Sequence, residues 1–351
     1  MSGPIGRRDL RSPVLVGTGE ARAGGAAPCV HPVDEATFAA VAEAARWAPS
    51  IHNSQPWRLR RLPDGIGVVE DPSRSLPVID PQGRDRTISC GAALLDARLA
   101  LRALGHLPEV EVLPDPAEPT LIGTVRAVAE QDPTPADRIL HRMIPLRRTH
   151  RRVYRSHVVA EEDLQDLRGA VAAEGARLTV ADPALRRHLA HLLRRAARVQ
   201  AEDAELRREA ERWVRRDPED ATPVDGVPVA SLGGSPFALD SLVSGPRPTV
   251  PGTDEVEEEL ARSTVLAIST QDDTRADWVL AGMALQRLLL AATAKGLVVG
   301  FADQALQDPG IRDDVASVLD LWGRPQVLLR VGRALVEAPA TPRRPLAQLV
   351  E

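Results

Sequence analysis

The sequence predicts an α+β fold built from two tandem repeats, and three observations lead to this expectation. Two apolar helices open at Gly91 and Gly282 and end at Gly105 and Gly296, so their starts and their ends are both separated by 191 residues. Each helix leads through its terminal glycine, a natural left-handed C-cap, into a strand-like segment. Two further strand-like segments flank Pro63-Asp64-Gly65, which is typical of a β-hairpin.

The N-terminal residues 1–33 are rich in Gly, Ala, Arg and Pro and show no steady hydrophobic period, which predicts a flexible extension. Within them, Val14-Leu15-Val16 runs into Gly17-Thr18-Gly19. The third glycine is misplaced for a dinucleotide-binding turn and no amphipathic helix follows, so this interpretation is not favoured. Asp34 is expected to cap a helix that continues at helical spacing until Pro49 stops it.

A second strand is expected after each glycine-capped helix, over 121–128 in the first repeat and 327–331 in the second. The helix at Asp34 corresponds to a predicted helix near Glu161. This pair is separated by 127 residues rather than 191, so the second half is expected to carry an insertion of about 64 residues.

The insertion is expected at about residues 180–255. It contains a predicted charged helix over 185–216 and a loop rich in Gly and Pro over 218–251. A loop of that length inside a compact domain is usually a lid or a linker. The first half is therefore expected to span 34–140, and the second half, with the insertion and a C-terminal tail, 141–351.

Composition narrows the class of protein. With 351 residues, 43% of them hydrophobic and 26% charged, the chain is typical of a soluble globular protein, and its net charge of −5 argues against a dedicated nucleic-acid binder. Cys29 and Cys90 form no C-x-x-C pair, which disfavours a disulfide scaffold and a thiolate zinc site. The apolar stretch 279–301 contains Gln286 and Arg287, so no membrane span is expected. No secretion signal is evident, and the predicted location is cytoplasmic.

Three segments carry residues suited to binding. The loop 48–57 can present amides, a hydroxyl and a carboxamide to a planar polar ring, or it can be a well-satisfied turn. The basic segment 147–152 can hold a phosphate, or it can be a solvated linker or a weak nucleic-acid patch. Arg343-Arg344 lies in a tail that could equally be a disordered terminus. His188 and His191 lie on the charged helix and indicate a solvated face rather than a metal site.

Together these segments resemble the nitroreductase-like flavoprotein superfamily, in particular its fused two-repeat branch, the Acg-type proteins of actinobacteria. Five motifs carry the resemblance in order from about Asp34 onward: A-P-S-I-H-N-S-Q-P-W, S-C-G-A-A-L-L-D, L-R-R-T-H-R-R-V-Y, D-G-V-P-V-A-S-L and T-P-R-R-P-L. The resemblance implies a nitroreductase-like fold in which each half is a mainly antiparallel sheet flanked by helices. The two halves would form an intramolecular pseudo-dimer, with the tail crossing to the first half. A monomer would suffice, and a homodimer is compatible with it.

The resemblance also implies one FMN site with residues from both halves. In the family, an arginine and a hydroxyl near the subunit start and a basic residue of the tail bind the phosphate, while a Pro-Ser-x-x-Asn loop contacts the ring and the ribityl chain. The residues expected to bind the cofactor are Pro49, Ser50, Asn53, Gln55, Arg147, Arg148, Thr149, Arg151, Gly300, Arg343 and Arg344. Gly300 is expected beside flavin N5, although Gly300-Phe301-Ala302-Asp303 departs from the family's usual string. His52 and Tyr154 are candidate polar contacts rather than expected proton donors.

The two halves are complementary in these motifs. No R-R-S/T-like string precedes the helix at Asp34, and Ala173-Glu174-Gly175 replaces the ring-binding loop in the second half, so one site is expected rather than two.

The expected function is that of an FMN-binding oxidoreductase in which hydride passes from NAD(P)H through FMN to a small planar acceptor such as a nitroaromatic, a quinone or an enone. The flavin would carry the chemistry, without a catalytic side chain or a metal. One alternative is a non-catalytic or lid-gated flavoprotein that stores or sequesters flavin. Another is a basic interaction module, which would be colourless. The expected partner is a small-molecule acceptor, with no nucleic acid and no membrane.

Overall fold

The structure, a computed structural model, describes residues 16–17, 32–156, 158–216, 224–233 and 249–351. Within these ranges the strands are β1 (Val16–Gly17), β2 (Trp57–Leu62), β3 (Gly65–Glu70), β4 (His106–Val112), β5 (Leu121–Glu130), β6 (Tyr154–Arg155), β7 (Arg177–Val180), β8 (Val214–Arg215), β9 (Val227–Pro228), β10 (Thr264–Thr270), β11 (Val298–Phe301) and β12 (Arg324–Ala334). The helices are α1 (Glu35–Ala45), α2 (Arg84–Ala103), α3 (Pro135–Met143), α4 (Glu161–Ala172), α5 (Arg186–Glu202), α6 (Ala204–Glu211), α7 (Thr253–Ala261), α8 (Arg275–Ala294), α9 (Gln304–Gln307) and α10 (Pro309–Val318).

The two halves contain sheets with the same strand order. In the first half the order is β4-β5-β3-β2, and in the second it is β11-β12-β10-β7, with antiparallel pairing at each of these steps. One register shift is also repeated, since the register shifts between Val68 and Val69 in one sheet and between Ile268 and Ser269 in the other. The predicted α+β fold with two tandem repeats is confirmed.

The helices α2 and α8 cross at the centre of the molecule through a pair of repeat-related glycines. A Cβ on Gly91 would lie 2.3 Å from the backbone oxygen of Val279, and a Cβ on Gly282 would lie 2.0 Å from that of Ile88. Ile88 and Val279 are equivalent positions in the two repeats, so the two close contacts are related to each other as at a two-fold interface. One hydrophobic cluster runs through both halves around this crossing. The halves thus form an intramolecular pseudo-dimer.

The expected start of these two helices was wrong, although their ends agree. The helices begin at Arg84 and Arg275, which are also 191 residues apart, and Gly91 and Gly282 lie inside them. The glycines mark the close helix crossing rather than a helix start. At the C-terminal ends, Gly105 and Gly296 adopt φ values of 92° and 67°, as expected for left-handed C-caps.

The insertion separates two strands of the second sheet that correspond to a hairpin in the first. The strands β2 and β3 are joined directly, whereas β7 and β10 are separated by residues 181–263. The single charged helix predicted there is broken into α5 and α6 at Asp203, because the Asp203 carboxylate accepts hydrogen bonds from the amides of Glu205 and Leu206 and caps α6. Most of the predicted loop 218–251 lies outside the described residues.

The two chain ends both add to the first sheet. Val16–Gly17 pairs in parallel with the outer edge of β4, so these two residues differ from the expected flexible extension. The pairing supplies hydrogen-bond partners to backbone groups that an edge strand otherwise leaves unpaired. The rest of that extension before residue 32 lies outside the described residues. At the other end, the tail crosses to β2, where Leu59 N donates to Leu349 O at 2.7 Å and Glu351 N donates to Leu59 O at 3.0 Å. In the described ranges, no helix is long and apolar enough to cross a membrane.

Candidate functional site

A cavity between the two halves receives residues from both and from the insertion. The first half contributes residues 49–52 and the N-terminal part of α2, and the second half contributes residues 149–151 and the β11–α9 connection. Gln200 of α5 and Leu206 of α6 also line it, as do Leu285 of α8 and Gln326, Val327 and Arg330 of β12. Apolar side chains alternate in this lining with hydroxyl, carboxamide and guanidinium groups, which is the composition of a site for a planar polar ligand. Pro49, Ser50, Thr149 and Arg151, among the predicted site residues, line the same space.

The loop after α1 has an unusual backbone. His52, Asn53 and Gln55 have φ values of 47°, 56° and 49°, in the left-handed region that non-glycine residues rarely adopt. The Ser50 hydroxyl accepts a hydrogen bond from Gln55 N at 2.9 Å and helps to hold this conformation. Several strained residues in one loop persist only where surrounding contacts define their conformation, which is common at functional sites.

The side chain of Asn53 joins three segments instead of facing the cavity. Its Nδ2 donates to Gly226 O at 2.9 Å and to Pro342 O at 3.0 Å, and its Oδ1 accepts from Arg343 Nη1 at 2.9 Å. The loop, the insertion and the tail are therefore held by one buried carboxamide. The geometry places Asn53 behind the cavity wall, which differs from the expected direct contact with the cofactor.

Gln55 and Arg344 likewise bind protein rather than the cavity. Gln55 Nε2 donates to Val224 O at 3.0 Å, and Arg344 N donates to Gln55 Oε1 at 2.8 Å. The Arg344 guanidinium donates to Gln55 O at 3.0 Å and to Gln348 O at 2.7 Å. These contacts tie the tail to the loop. The structure does not bring either side chain to the lining of the cavity.

Buried guanidinium groups gather next to Thr149. Arg147 is 4% exposed, its Nη1 lies 3.4 Å from Thr149 Oγ1, and its Nε has no hydrogen-bond partner in the described ranges. Burial lowers the pKa of Arg147 to about 10, and the charges of Arg148 and Arg151 act in the same direction. Burial, followed by repulsion from Arg147, lowers the pKa of Arg343 to about 9. No carboxylate of the described chain lies within ion-pair distance of Arg147 or Arg343, so this cluster is suited to an anion from outside.

Asp96 lies close to this cluster but does not neutralise it at neutral pH. Both of its oxygens accept hydrogen bonds from Gln286 Nε2, at 2.8 and 2.9 Å, and the side chain is fully buried. Burial raises its pKa to about 8, against the opposing effect of the charges on Arg147 and Arg343. Sequence reasoning missed Asp96, although it is the last residue of the S-C-G-A-A-L-L-D motif.

Of the two candidate polar contacts, one lines the cavity and the other does not. His52 Nε2 is buried without a partner in the part of the chain that is described, and burial, with the charge of Arg151, lowers the pKa of His52 to about 4. The imidazole is therefore neutral at physiological pH. Tyr154 is buried beneath β12, where its hydroxyl donates to Arg330 O at 2.9 Å.

Gly300 is required by packing within the second half. A Cβ there would lie 2.3 Å from His150 O, so only glycine lets β11 approach the basic segment this closely. The neighbouring residues Phe301, Asp303 and Gln304 line the cavity, whereas Gly300 does not. Asp303, which is half-buried, is a second acid close to the site that has no expected role in the sequence.

The pseudo-symmetric counterpart of the cluster contains its own carboxylate. Glu174, fully buried, forms ion pairs with Arg98 and with Arg287, whose Nη1 lies 3.2 Å from Glu174 Oε1. Arg287 follows Asp96 by the repeat spacing of 191 residues. Glu174 also belongs to the stretch that replaces the ring-binding loop in the second half. At this position the chain provides its own anion.

Comparison with known proteins identifies relatives by sequence. No protein-family profile matches the chain. Rv3131 of Mycobacterium tuberculosis strain H37Rv, provisionally named an NAD(P)H nitroreductase, is 36% identical over 341 residues, which cover 93% of this chain and 95% of that protein. The acg protein of the same strain, also provisionally named an NAD(P)H nitroreductase, is 31% identical over 306 residues, which cover 86% and 91% of the two chains.

A solved structure with a lower similarity is that of NfnB from Mycobacterium smegmatis, an FMN-dependent nitroreductase in complex with NADPH. It aligns with a TM-score of 0.36 and 18% identity over 58% of this chain and 94% of that one. The two relatives from Mycobacterium tuberculosis, in contrast, align over most of both chains at 30% identity or more. The chain therefore belongs to the nitroreductase-like family, in its Acg-type branch.

Proposed function

We propose that the chain binds one FMN in the cavity between its halves and acts as an NAD(P)H-dependent oxidoreductase on a small planar acceptor. One observation carries this proposal. The loop 49–52 of the first half and the basic segment 149–151 of the second line the same cavity, and Arg147 beside it is a buried cation with no carboxylate partner in the described chain.

The residues present fit the two ends of FMN. Arg147, Thr149 and Arg343 would hold the phosphate, because guanidinium groups form short charge-assisted hydrogen bonds with phosphate oxygens. Arg148 and Arg151 add positive charge nearby. Bound there, the cofactor supplies two-electron hydride chemistry, while the protein contributes binding and orientation.

The other end of the site is suited to a flat ring. Pro49 and Ser50 and the apolar side chains of Ile88, Leu285 and Phe301 line the cavity and would enclose the ring system. Asn53, Gln55 and Arg344 act one layer behind them, where they position the loop and the tail. Their proposed role is therefore to preorganise the site rather than to contact the cofactor.

The distribution of buried charge supports a single cofactor for each chain. At the pseudo-symmetric position the Glu174 carboxylate already pairs with Arg98 and Arg287, and this fills the anion site that a second phosphate would need. We expect a stoichiometry of one FMN per chain at saturation.

The insertion limits the size of the acceptor that the cavity can hold. Gln200 and Leu206 lie over the cavity, so a nitroaromatic, a quinone or an enone of small size fits the space better than a large acceptor does. The names of Rv3131 and acg support NAD(P)H as the reductant. The same wall also supports a second candidate, a flavin-storing protein, because a closed insertion would exclude the nicotinamide donor.

The test begins with the visible spectrum of the purified protein and an equilibrium titration with FMN. The FMN-loaded protein is then mixed with NADH or NADPH without oxygen. Loss of the oxidised flavin bands supports the reductase, and bands that persist support flavin storage. A protein that binds no FMN in the titration contradicts both.

A further inference from the structure

The Asp303 side chain lines the cavity with one of its two oxygens already engaged. Asp303 Oδ1 accepts a hydrogen bond from Leu328 N at 2.6 Å, which fixes the carboxyl group against β12. Oδ2 has no hydrogen-bond partner in the described part of the chain, and no arginine or lysine there lies within ion-pair distance of the group. Because Asp303 lines the cavity and Oδ1 is engaged by Leu328 N, Oδ2 is the oxygen left for a ligand.

The surroundings favour the neutral carboxyl group. Burial raises the pKa of Asp303 to about 8, and the negative charge of Asp85 raises it further, while the Leu328 amide and Arg84 oppose this effect. Arg84 and Asp85 form an ion pair with each other at 2.7 Å, so their opposite effects on Asp303 partly cancel and burial is the main cause of the raised pKa. A protonated carboxyl has one O–H donor, which an ionised carboxylate lacks.

The other titratable groups around the cavity keep their charge near that pH. His52 and His150 both have pKa values lowered by burial, so they are neutral above neutral pH. Burial lowers the pKa of Arg151 only to about 10. Gln307, which also lines the cavity, is uncharged and accepts from Gln200 Nε2 at 2.7 Å. Asp96, whose pKa is also about 8, lies at the arginine cluster and not in the cavity lining. A change in ligand binding between about pH 6.5 and about pH 9 is therefore assigned to Asp303 when it is absent from Asp303→Asn.

We propose that protonated Asp303 donates a hydrogen bond from Oδ2 to an oxygen of the acceptor, and so selects nitro, quinone and carbonyl compounds over acceptors of the same shape that lack this oxygen. Asp303 is then a specificity-determining residue of the acceptor site. The inference rests on the proposed function. A site that hydrogen-bonds a polar group of its ligand discriminates against the analogue without it, because the partner in the protein is left unpaired.

The test compares two ligands of matched shape on the FMN-loaded protein. Acetophenone carries a carbonyl oxygen, and α-methylstyrene has a CH2 group in its place. Their dissociation constants are measured by NMR titration at about pH 6.5 and about pH 9. At the lower pH we expect acetophenone to bind about two- to tenfold more tightly than α-methylstyrene, which is the effect of one hydrogen bond. At the higher pH most of this difference in affinity should be lost. Affinity for α-methylstyrene should not change.

Two variants separate the hydrogen bond from the shape of the site. Asp303→Asn can still accept from Leu328 N and can donate through its amide without titrating, so its preference should persist at both pH values. Asp303→Ala should show no preference at either. A wild-type protein without a preference, or with one that is independent of pH, overturns the inference while leaving FMN binding intact. A protein that does not retain FMN, as seen in its spectrum, overturns the proposed function and this inference with it.

Discussion

Arg343 Nη1 donates a hydrogen bond to Asn53 Oδ1 at 2.9 Å, which links the C-terminal tail to a loop 290 residues earlier in the chain. The same carboxamide donates to Gly226 O of the insertion and to Pro342 O of the tail. One side chain thus sets the position of Arg343, which we propose to bind phosphate, relative to the loop that we propose to face the flavin ring. Asn53 is expected to act through this geometry rather than through contact with the cofactor.

Replacing Asn53 with glycine tests this role without adding backbone strain, because glycine tolerates the φ of 56° found there. We expect the affinity for FMN, measured by equilibrium titration, to fall about tenfold, the effect of one or two lost hydrogen bonds. Asp320→Gly is the matched control, since Asp320 also has a positive φ of 45° but is exposed. Unchanged affinity in Asn53→Gly would show that the link between loop and tail does not shape the site.

Arg147→Ala should separate cofactor binding from folding. Loss of a charge-assisted hydrogen bond to a buried phosphate costs about 1.5–3 kcal/mol of FMN-binding free energy. The apoprotein, in contrast, should lose little free energy of unfolding, because removal of a buried cation without a carboxylate partner offsets the lost packing. FMN titration and urea unfolding of the apoprotein measure the two quantities.

The exposed residue Arg142 provides the control for this prediction, and Arg142→Ala should change neither quantity. If Arg147→Ala destabilised the apoprotein by as much as it weakened FMN binding, Arg147 would be a structural residue and the phosphate site would lie elsewhere.

Local patterns predicted the fold better than they predicted the contacts of the site. Hydrophobic spacing and the glycine caps at Gly105 and Gly296 are each encoded within one element, so the repeat could be predicted from the sequence. Asn53 and Gln55 donate to the backbone carbonyls of Gly226 and Val224, which lie more than a hundred residues away and carry no sequence signal. Gly300 is expected beside the flavin because of the family resemblance, and nothing local in the sequence indicates that the His150 carbonyl packs against it.

Gly282→Ala should destabilise the protein although alanine is the better helix former. In an open helix the change would stabilise by up to about 1 kcal/mol. Here the new Cβ would lie 2.0 Å from the backbone oxygen of Ile88, which cannot move without displacing α2, so we expect a net loss of about 1–3 kcal/mol in the free energy of unfolding.

Urea unfolding of Gly282→Ala is best compared with Gly252→Ala, where the added Cβ meets no atom within 4 Å and φ is −69°. Gly252 is the N-cap of α7, where glycine is preferred to alanine, so that control should lose less than about 1 kcal/mol, which is below the loss expected for Gly282→Ala. Equal stability of Gly282→Ala and the wild type would mean that the two halves do not cross as closely as described.

The buried acid Asp96 makes folding stability depend on pH. Its pKa is raised from the ordinary value of 3.8 to about 8, so between these two pH values the folded chain holds a proton that the unfolded chain has released. The contribution of Asp96 to stability is therefore complete below about pH 3.8, declines as the pH rises through this window, and levels off above about pH 8. Asp96→Asn removes the titrating group and should flatten this part of the curve.

The measurement is the free energy of unfolding of the FMN-free wild type and of Asp96→Asn, by urea at several values between about pH 6 and about pH 9. As the pH rises towards the folded pKa, the free energy of unfolding of the wild type should fall relative to that of Asp96→Asn by up to about 1.4 kcal/mol for each pH unit. Above the folded pKa the difference between the two proteins should be constant. Asp303→Asn tests the same pH dependence of the free energy of unfolding at a different site, because burial also raises the pKa of Asp303 to about 8. Parallel curves for wild type and Asp96→Asn would mean that Asp96 is ionised in the fold, in which case it would pair electrostatically with Arg147 and leave less charge for a phosphate.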